Sequence, residues 1–206
     1  MRLDAMPRVP LVARRPSWRR AARVLVGAVF ALCLAWSRPF RVGAAEQREI
    51  DPANSVAHFS IEHIFVDRVT GTVPVLSGSL TMAPNSTIPL SISAVLDPTR
   101  MNSGDGDRDS SLESPDYFDT KRFPTWTFVS TKIVSEGNAA FGIDGMLTMH
   151  GVAQPEHLDV TIHGDPAHPA YHALGHVDRH AFGMKGARLD PVIGNAADVT
   201  LDISLK

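Results

Sequence analysis

Cysteine is almost absent from this chain: Cys33 is the single thiol among 206 residues. That excludes an intrachain disulfide framework, and beyond residue 33 it also excludes thiolate metal sites and cysteine nucleophiles. Long apolar runs are missing too. The longest charge-free one, Val24 to Trp36, has 13 residues, short of the ~20 that span a bilayer as a helix. Reaction motifs are equally scarce. No G-x-S-x-G elbow, H-E-x-x-H pair or glycine-rich phosphate loop occurs, so the sequence encodes no recognisable nucleophile, zinc-protease helix or nucleotide cradle.

What is present divides at about residue 45. The leading segment carries Arg2, Arg8, Arg14, Arg15, Arg19, Arg20 and Arg23, then the apolar run, then the small residues Gly43, Ala44 and Ala45. That order predicts a secretory signal over residues 1–45. Arg19 and Arg20 are followed by Ala21, Ala22 and Arg23, a poor twin-arginine context, so the general export route is favoured. Leu32 stands where a lipid-modified Cys33 would need a small residue, which argues against acylation.

Residues 46–206 are then one domain by length. The nine arginines and one aspartate before residue 46, taken from 20 basic and 22 acidic residues, leave 11 against 21, a balance near −10. A field of that sign repels phosphate backbones and anionic membrane surfaces, which excludes nucleic acid as a partner. With no cysteine to cross-link it, such a domain depends on its core, and at this size roughly 70% of the unfolded surface can be buried.

Past residue 45 the apolar residues recur every second position, between clusters of Gly, Pro, Asn and Asp, the pattern of an all-β chain. Ala57, Phe59, Ile61 and His63 share one face of a first strand. Ile92, Ala94 and Leu96 share a second, ended by Pro98. Trp126 and Phe128 form a third, and Phe141, Ile143, Gly145, Leu147 and Met149 a fourth. Leu158, Val160 and Ile162 make another, while Val199, Leu201, Ile203 and Leu205 close the chain. Further segments near Val69, Leu80 and Val177 bring the total to eight or nine strands, the number at which an antiparallel barrel closes around one small ligand. Residues 100–122 break the rhythm as a long acidic insertion with at most a short helix over Ser110–Glu113.

Several polar groups invite chemistry. Asp105, Asp107 and Asp109 imitate the start of a calcium loop, but Ser110 replaces its glycine and Asp116 its glutamate, which leaves a solvated turn with a local Arg108 to carboxylate contact. His168, His172, His176 and His180 recur every fourth residue, a spacing that suits zinc or copper on a helix. Pro169 and Gly175 oppose a helix there, and on a strand such neighbours lie ~13 Å apart. His63 ends an apolar face and is either a hydrogen-bonded structural imidazole or a polar group at an interior cavity. Arg179 needs a carboxylate if it enters a barrel wall, and Asp109 is the expected partner. Gly71, Gly145, Ala57 and Ala94 fall among large apolar residues on inward faces, which predicts interior room for an apolar guest.

Three blocks tie these features to a family. They are Arg108, Asp109, Leu112, Ser114, Asp116, Phe118, Asp119, Phe123 and Pro124; then Gly145, Leu147, Thr148, His150, Gly151 and Val152; then Arg179, Phe182, Gly183 and Met184. In this order and spacing the chain resembles the YceI-like family of secreted, lipocalin-like barrels that bind polyisoprenoid and related lipids, from about Ile50 to the C-terminus. Ile64 and Val73 depart from that pattern, standing where the family has a glycine and an aromatic residue.

The resemblance implies an antiparallel lipocalin-like barrel of about eight strands with a short helical insertion over residues 46–206. It implies a periplasmic, non-enzymatic carrier or sequestering protein without a cofactor. Its ligand would be a polyisoprenoid or another long-chain lipid, such as an isoprenoid quinone or fatty-acid derivative. The residues expected to line its site are Phe59, Ile61, His63, Leu112, Phe118, Trp126, Phe128, Leu147, Met149 and Phe182. A homodimer and a transient contact with a membrane or membrane protein are compatible with this reading. The alternative from another class is metal binding or stress protection through the surface histidines and the acidic loop.

Overall fold

The computed structural model describes residues 44–65, 67–137, 139–185 and 187–206. The expected signal segment and Cys33 lie outside the described residues. Alternating sequence becomes nine antiparallel strands: β1 Glu46–Glu49, β2 Val56–His63, β3 Asp67–Met82, β4 Pro89–Leu96, β5 Trp126–Ser135, β6 Ala140–Met149, β7 Val152–Asp165, β8 His168–Asp178 and β9 Ile193–Ser204. Val69 and Leu80, expected on separate segments, share the 16-residue strand β3.

That length closes the barrel. The first half of β3 pairs with β2, from Asp67 opposite His63 to Pro74 opposite Val56, and its second half pairs with β4. From β4 the neighbours run β5, β6, β7, β8 and β9 back to β2, giving eight strands in a closed ring. Strand β1 lies beside Ser79–Met82, on the edge of β3 that β2 has left free. Between β1 and β2 a 3-10 turn, Pro52–Asn54, is capped by the Asp51 carboxylate, which accepts from Ala53 N. An Ile50–Leu205 bridge and a bond from Lys206 N to Glu49 O bind the C-terminus beside β1. No edge of the ring is left to template aggregation.

Register irregularities at Val75/Ser77 and Ser130/Lys132 bend β3 and β5, as bulges do, and keep the later apolar residues facing in. Two clusters fill the interior. Ile50, Val75, Leu80, Met82, Phe128, Phe141, Ile143, Val160, Tyr171 and Ala173 form one. Ala57, Val73, Leu96, Met101, Trp126, Met149, Phe182 and Met184 form the other.

The acidic insertion holds the helix α1, Gly106–Leu112. It starts four residues before the expected Ser110 because Asp105 is a better N-cap than anything later: its carboxylate accepts from Asp107 N and Arg108 N, both at 3.0 Å. Among the described residues Arg108 makes no close carboxylate pair. Its Nε and Nη2 donate to Ser103 Oγ and O at 2.9 Å, while Ser103 N and Oγ donate to Asp109 at 2.9 and 2.6 Å. This knot fastens α1 to Asn102, which bridges Thr72 on the flank of β3 that β4 does not reach.

Candidate ligand cavity

Strand parity places a cavity of ≈ 430 Å³ inside the ring, within the ~300–1,000 Å³ usual for small-molecule sites. Its wall is uneven. Val73, Leu96, Ile143, Val160 and Ala173 are buried, whereas Phe59 and Ile61 of β2, Ala94 of β4, Leu147 of β6, Leu158 of β7, Val177 of β8 and Val199 of β9 are only half-buried although they also face inward. Apolar side chains facing inward without being covered mark the open volume, which β2, β4, β6, β7, β8 and β9 all border.

One end is stopped. Phe141 is 0% exposed, Leu80 and Ile50 are nearly so, and Tyr171 stands edge to face with Phe141 at 6.0 Å. The Tyr171 hydroxyl donates to Thr87 O at 2.9 Å, and burial pushes its phenol pKa up to about 12. Polar groups gather at the α1 end, where His63, Arg108, Ser111, Tyr117, Glu156 and Arg179 join the lining. The result is an apolar shaft with a polar collar.

Nine of the ten residues expected at the site line this cavity: Phe59, Ile61, His63, Leu112, Phe118, Trp126, Phe128, Leu147 and Met149. Phe182 does not. It is 0% exposed among Trp126, Met149 and Met184, because the turn after Arg179 folds it into the second core cluster and away from the open volume. Phe118 stands edge-on to Trp126, ring centroids 4.7 Å apart. Trp126 Nε1 is a buried donor without a hydrogen-bond partner among the described residues. His63 lines the cavity and also fixes its turn, with Phe65 N donating to its Nδ1 at 3.3 Å.

Sequence parity missed Tyr117 and Glu156. The first lies in irregular chain where no period operates. The second is the one acidic residue on the inward face of β7, between Gln154 and Leu158, and that alternation was a usable signal.

The glycines do something other than make room. A Cβ on Gly145 would come within 2.3 Å of Phe128 Cζ, and one on Gly71 within 2.5 Å of Phe59 Cζ. Each glycine is a seat for an aromatic ring that would otherwise project into the cavity.

Arg179 is 6% exposed and pairs with Asp190, not with Asp109, which Ser103 already occupies. Its Nε donates to Gly194 O, Nη1 to Met184 O and Asp190 Oδ1, and Nη2 to Asp190 O and Ile193 O. All five N–H donors are satisfied, which makes it a clamp on the 179–194 connection. Hydrogen bonds from His180 and Arg179 hold the Asp190 carboxyl below the usual range.

The fourfold histidine series lies outside. His168, His172, His176 and His180 each approach a different aspartate: Asp165, Asp202, Asp198 and Asp190. Among the described residues no group of three or more His, Cys, Asp or Glu could hold a metal ion. The strand separates the imidazoles along its length and each turns to its own carboxylate.

Ring closure, a stopped apolar shaft and a polar collar define a lipocalin-like β-barrel. The chain belongs to the YceI-like domain family, whose pattern matches residues 49–205. It is 25% identical over 177 residues to a UPF0312 protein of Vibrio campbellii, covering 85% of this chain and 93% of that one. A UPF0312 protein of Pseudomonas putida is 28% identical over 153 residues, 71% of this chain and 76% of its own.

Among solved structures the fold is similar to Burkholderia cenocepacia BcnA, with a TM-score of 0.68 and 20% identity over 76% of this chain and 99% of that one. A polyisoprenoid binding domain from Saccharophagus degradans, implicated in plant cell wall breakdown, matches with a TM-score of 0.61 and 15% identity over 79% and 99% of the two chains.

Proposed function

We propose that this protein is a non-enzymatic carrier or sequestering protein for a long-chain lipid, a polyisoprenoid, isoprenoid quinone or fatty-acid derivative, in the periplasm. The observation that carries the reading is the shaft itself: inward Phe59, Ile61, Val199 and Leu201 stand half-buried inside a closed barrel, as they would if a guest completed the packing. Burying a prenyl or acyl chain there is worth about 0.8 kcal/mol per methylene, so ten carbons give about 8 kcal/mol before ordering costs. Family membership and the named ligand of the Saccharophagus domain support the ligand class. The leader pattern of residues 1–45 supports the compartment.

Loading from a membrane is favoured by Ile64 and Phe65, which are 72% and 75% exposed at the turn beyond the cavity-lining His63. Large apolar side chains held in water beside a lipid mouth suit transient insertion into a bilayer or a membrane protein. A second copy of the chain would have the outer face of β5 and β6, where exposed Val129 and Met146 pair; sedimentation velocity decides this.

Trp126 lines the cavity and is the only tryptophan after residue 36. Titration with a long-chain prenol should change its fluorescence with saturation at one equivalent. No change with prenyl or acyl lipids under conditions where the protein is folded would overturn the reading.

A further inference from the structure

Glu156 is out of keeping with its surroundings. It sits on the inward face of β7, opposite Gly145 of β6, with Leu158 and Val160 following on the same face. It lines the cavity at the collar, half-buried, and no described residue hydrogen-bonds or ion-pairs with its carboxylate. A carboxyl drawn out of water without a partner is costly, so such groups are rare unless something pairs with them.

Among the described residues the collar's two arginines do not answer it. Arg179 commits all five donors to Asp190 and four backbone carbonyls, and Arg108 gives Nε and Nη2 to Ser103. Burial, and then the like charge of Asp178, push the Glu156 carboxyl above its ordinary value. A second anion brought to this point would meet both carboxylates at reduced dielectric, whereas a hydroxyl would satisfy the carboxyl at no charge cost.

We infer that Glu156 is the head-group anchor of the cavity, and that it selects long-chain lipids ending in an uncharged hydrogen-bond donor, such as a prenol or other long-chain alcohol, over phosphorylated or carboxylate lipids. The inference rests on the carrier reading and narrows it. The chain fills the shaft, and the head stops at the collar, where its O–H donates to Glu156.

The test uses three probes that share one chain: farnesol, farnesyl monophosphate and the headless hydrocarbon farnesene, each titrated against Trp126 fluorescence at pH 7. Native protein should bind farnesol about 10-fold more tightly than farnesyl monophosphate. Glu156→Leu should weaken farnesol by about 3- to 10-fold, the worth of one hydrogen bond, and leave farnesene unchanged. Glu156→Gln, which still accepts a hydrogen bond but carries no charge, should retain farnesol and admit farnesyl monophosphate more readily.

Equal or tighter native binding of the phosphate overturns the inference. So does a farnesol affinity that Glu156→Leu, folded by circular dichroism, leaves unchanged. If farnesene and farnesol bind alike, the carrier reading stands and the anchor falls; if native protein binds none of the three, both fall.

Discussion

Substituting Gly145 by alanine adds one methyl group where the structure leaves no room for it. The new Cβ would lie 2.3 and 2.6 Å from Phe128 Cζ and Cε2 and 2.9 Å from Val129 O. Carbon contacts are comfortable at ~3.5–4.0 Å, so the ring must retreat by more than about 1 Å. Val129 O is part of the β5 backbone beside β6 and yields little. The ring can swing only inward, into the cavity it lines.

Overpacking of this kind costs about 1–3 kcal/mol. For a domain of this size each kcal/mol lowers Tm by about 2–4 °C, so thermal unfolding followed by circular dichroism should show a loss of about 2–12 °C. Phe128→Ala alone should cost about 3–5 kcal/mol through the cavity it leaves. In the double variant the added methyl meets no ring, and the two costs should fall short of their sum by about 1 kcal/mol or more. Additivity within about 0.5 kcal/mol, or an unchanged Tm for Gly145→Ala, would refute the seat. Lipid uptake should fall in Gly145→Ala beyond what its stability explains, because the displaced ring occupies the shaft.

Arg179→Ala removes the donors to four backbone carbonyls and leaves Asp190 without its buried partner; it should cost about 3–5 kcal/mol in urea unfolding, and Arg179→Lys should recover little of it, since one ammonium cannot reproduce the fork. His157 is raised above the ordinary histidine range chiefly by its hydrogen bond to Asp144 at 2.7 Å. The stability it lends is therefore full below its unfolded pKa near ~6.5 and lost as pH rises through the folded value, and at this exposed site it amounts to about a few tenths of a kcal/mol. An NMR titration should place the His157 midpoint above that range, and Asp144→Asn should lower it toward that range while Asp159, 3.4 Å from Nε2, still holds it partly up; an unmoved midpoint would contradict the assignment. Phe65→Ser should slow lipid transfer from vesicles several-fold while leaving the affinity for free lipid unchanged, and equal transfer rates would remove the turn from the loading step.

Much of the fold was legible because a half-buried strand writes itself at period two. Phe141 to Met149 and Val199 to Leu205 face inward as the alternation indicated. Parity also reached the cavity lining wherever a residue lay on a strand, which is why Phe59, Trp126, Phe128 and Leu147 line it. It could not reach residues whose placement is set by turns. Phe182 matches a family block, yet the turn that Arg179 clamps folds it into the core. The Arg179 partner lies beyond the reach of parity for a related reason: Asp109 and Asp190 are equally acidic in sequence, and only the Ser103 knot shows that the former is taken. The fourfold histidine period looked like one ligand set, whereas the strand pairs each imidazole with its own aspartate. Two inward glycines looked like space and are ring seats, a distinction that depends on which way a neighbouring side chain leans.

Whether the shaft holds a long apolar molecule is decided by native mass spectrometry of the freshly purified protein, followed by organic extraction. A non-covalent adduct is expected, released on extraction as a prenyl or acyl species and lost in a variant such as Phe128→Arg that places charge in the wall. A protein that is empty as isolated, and that still takes up no added prenyl or acyl lipid, would contradict that expectation.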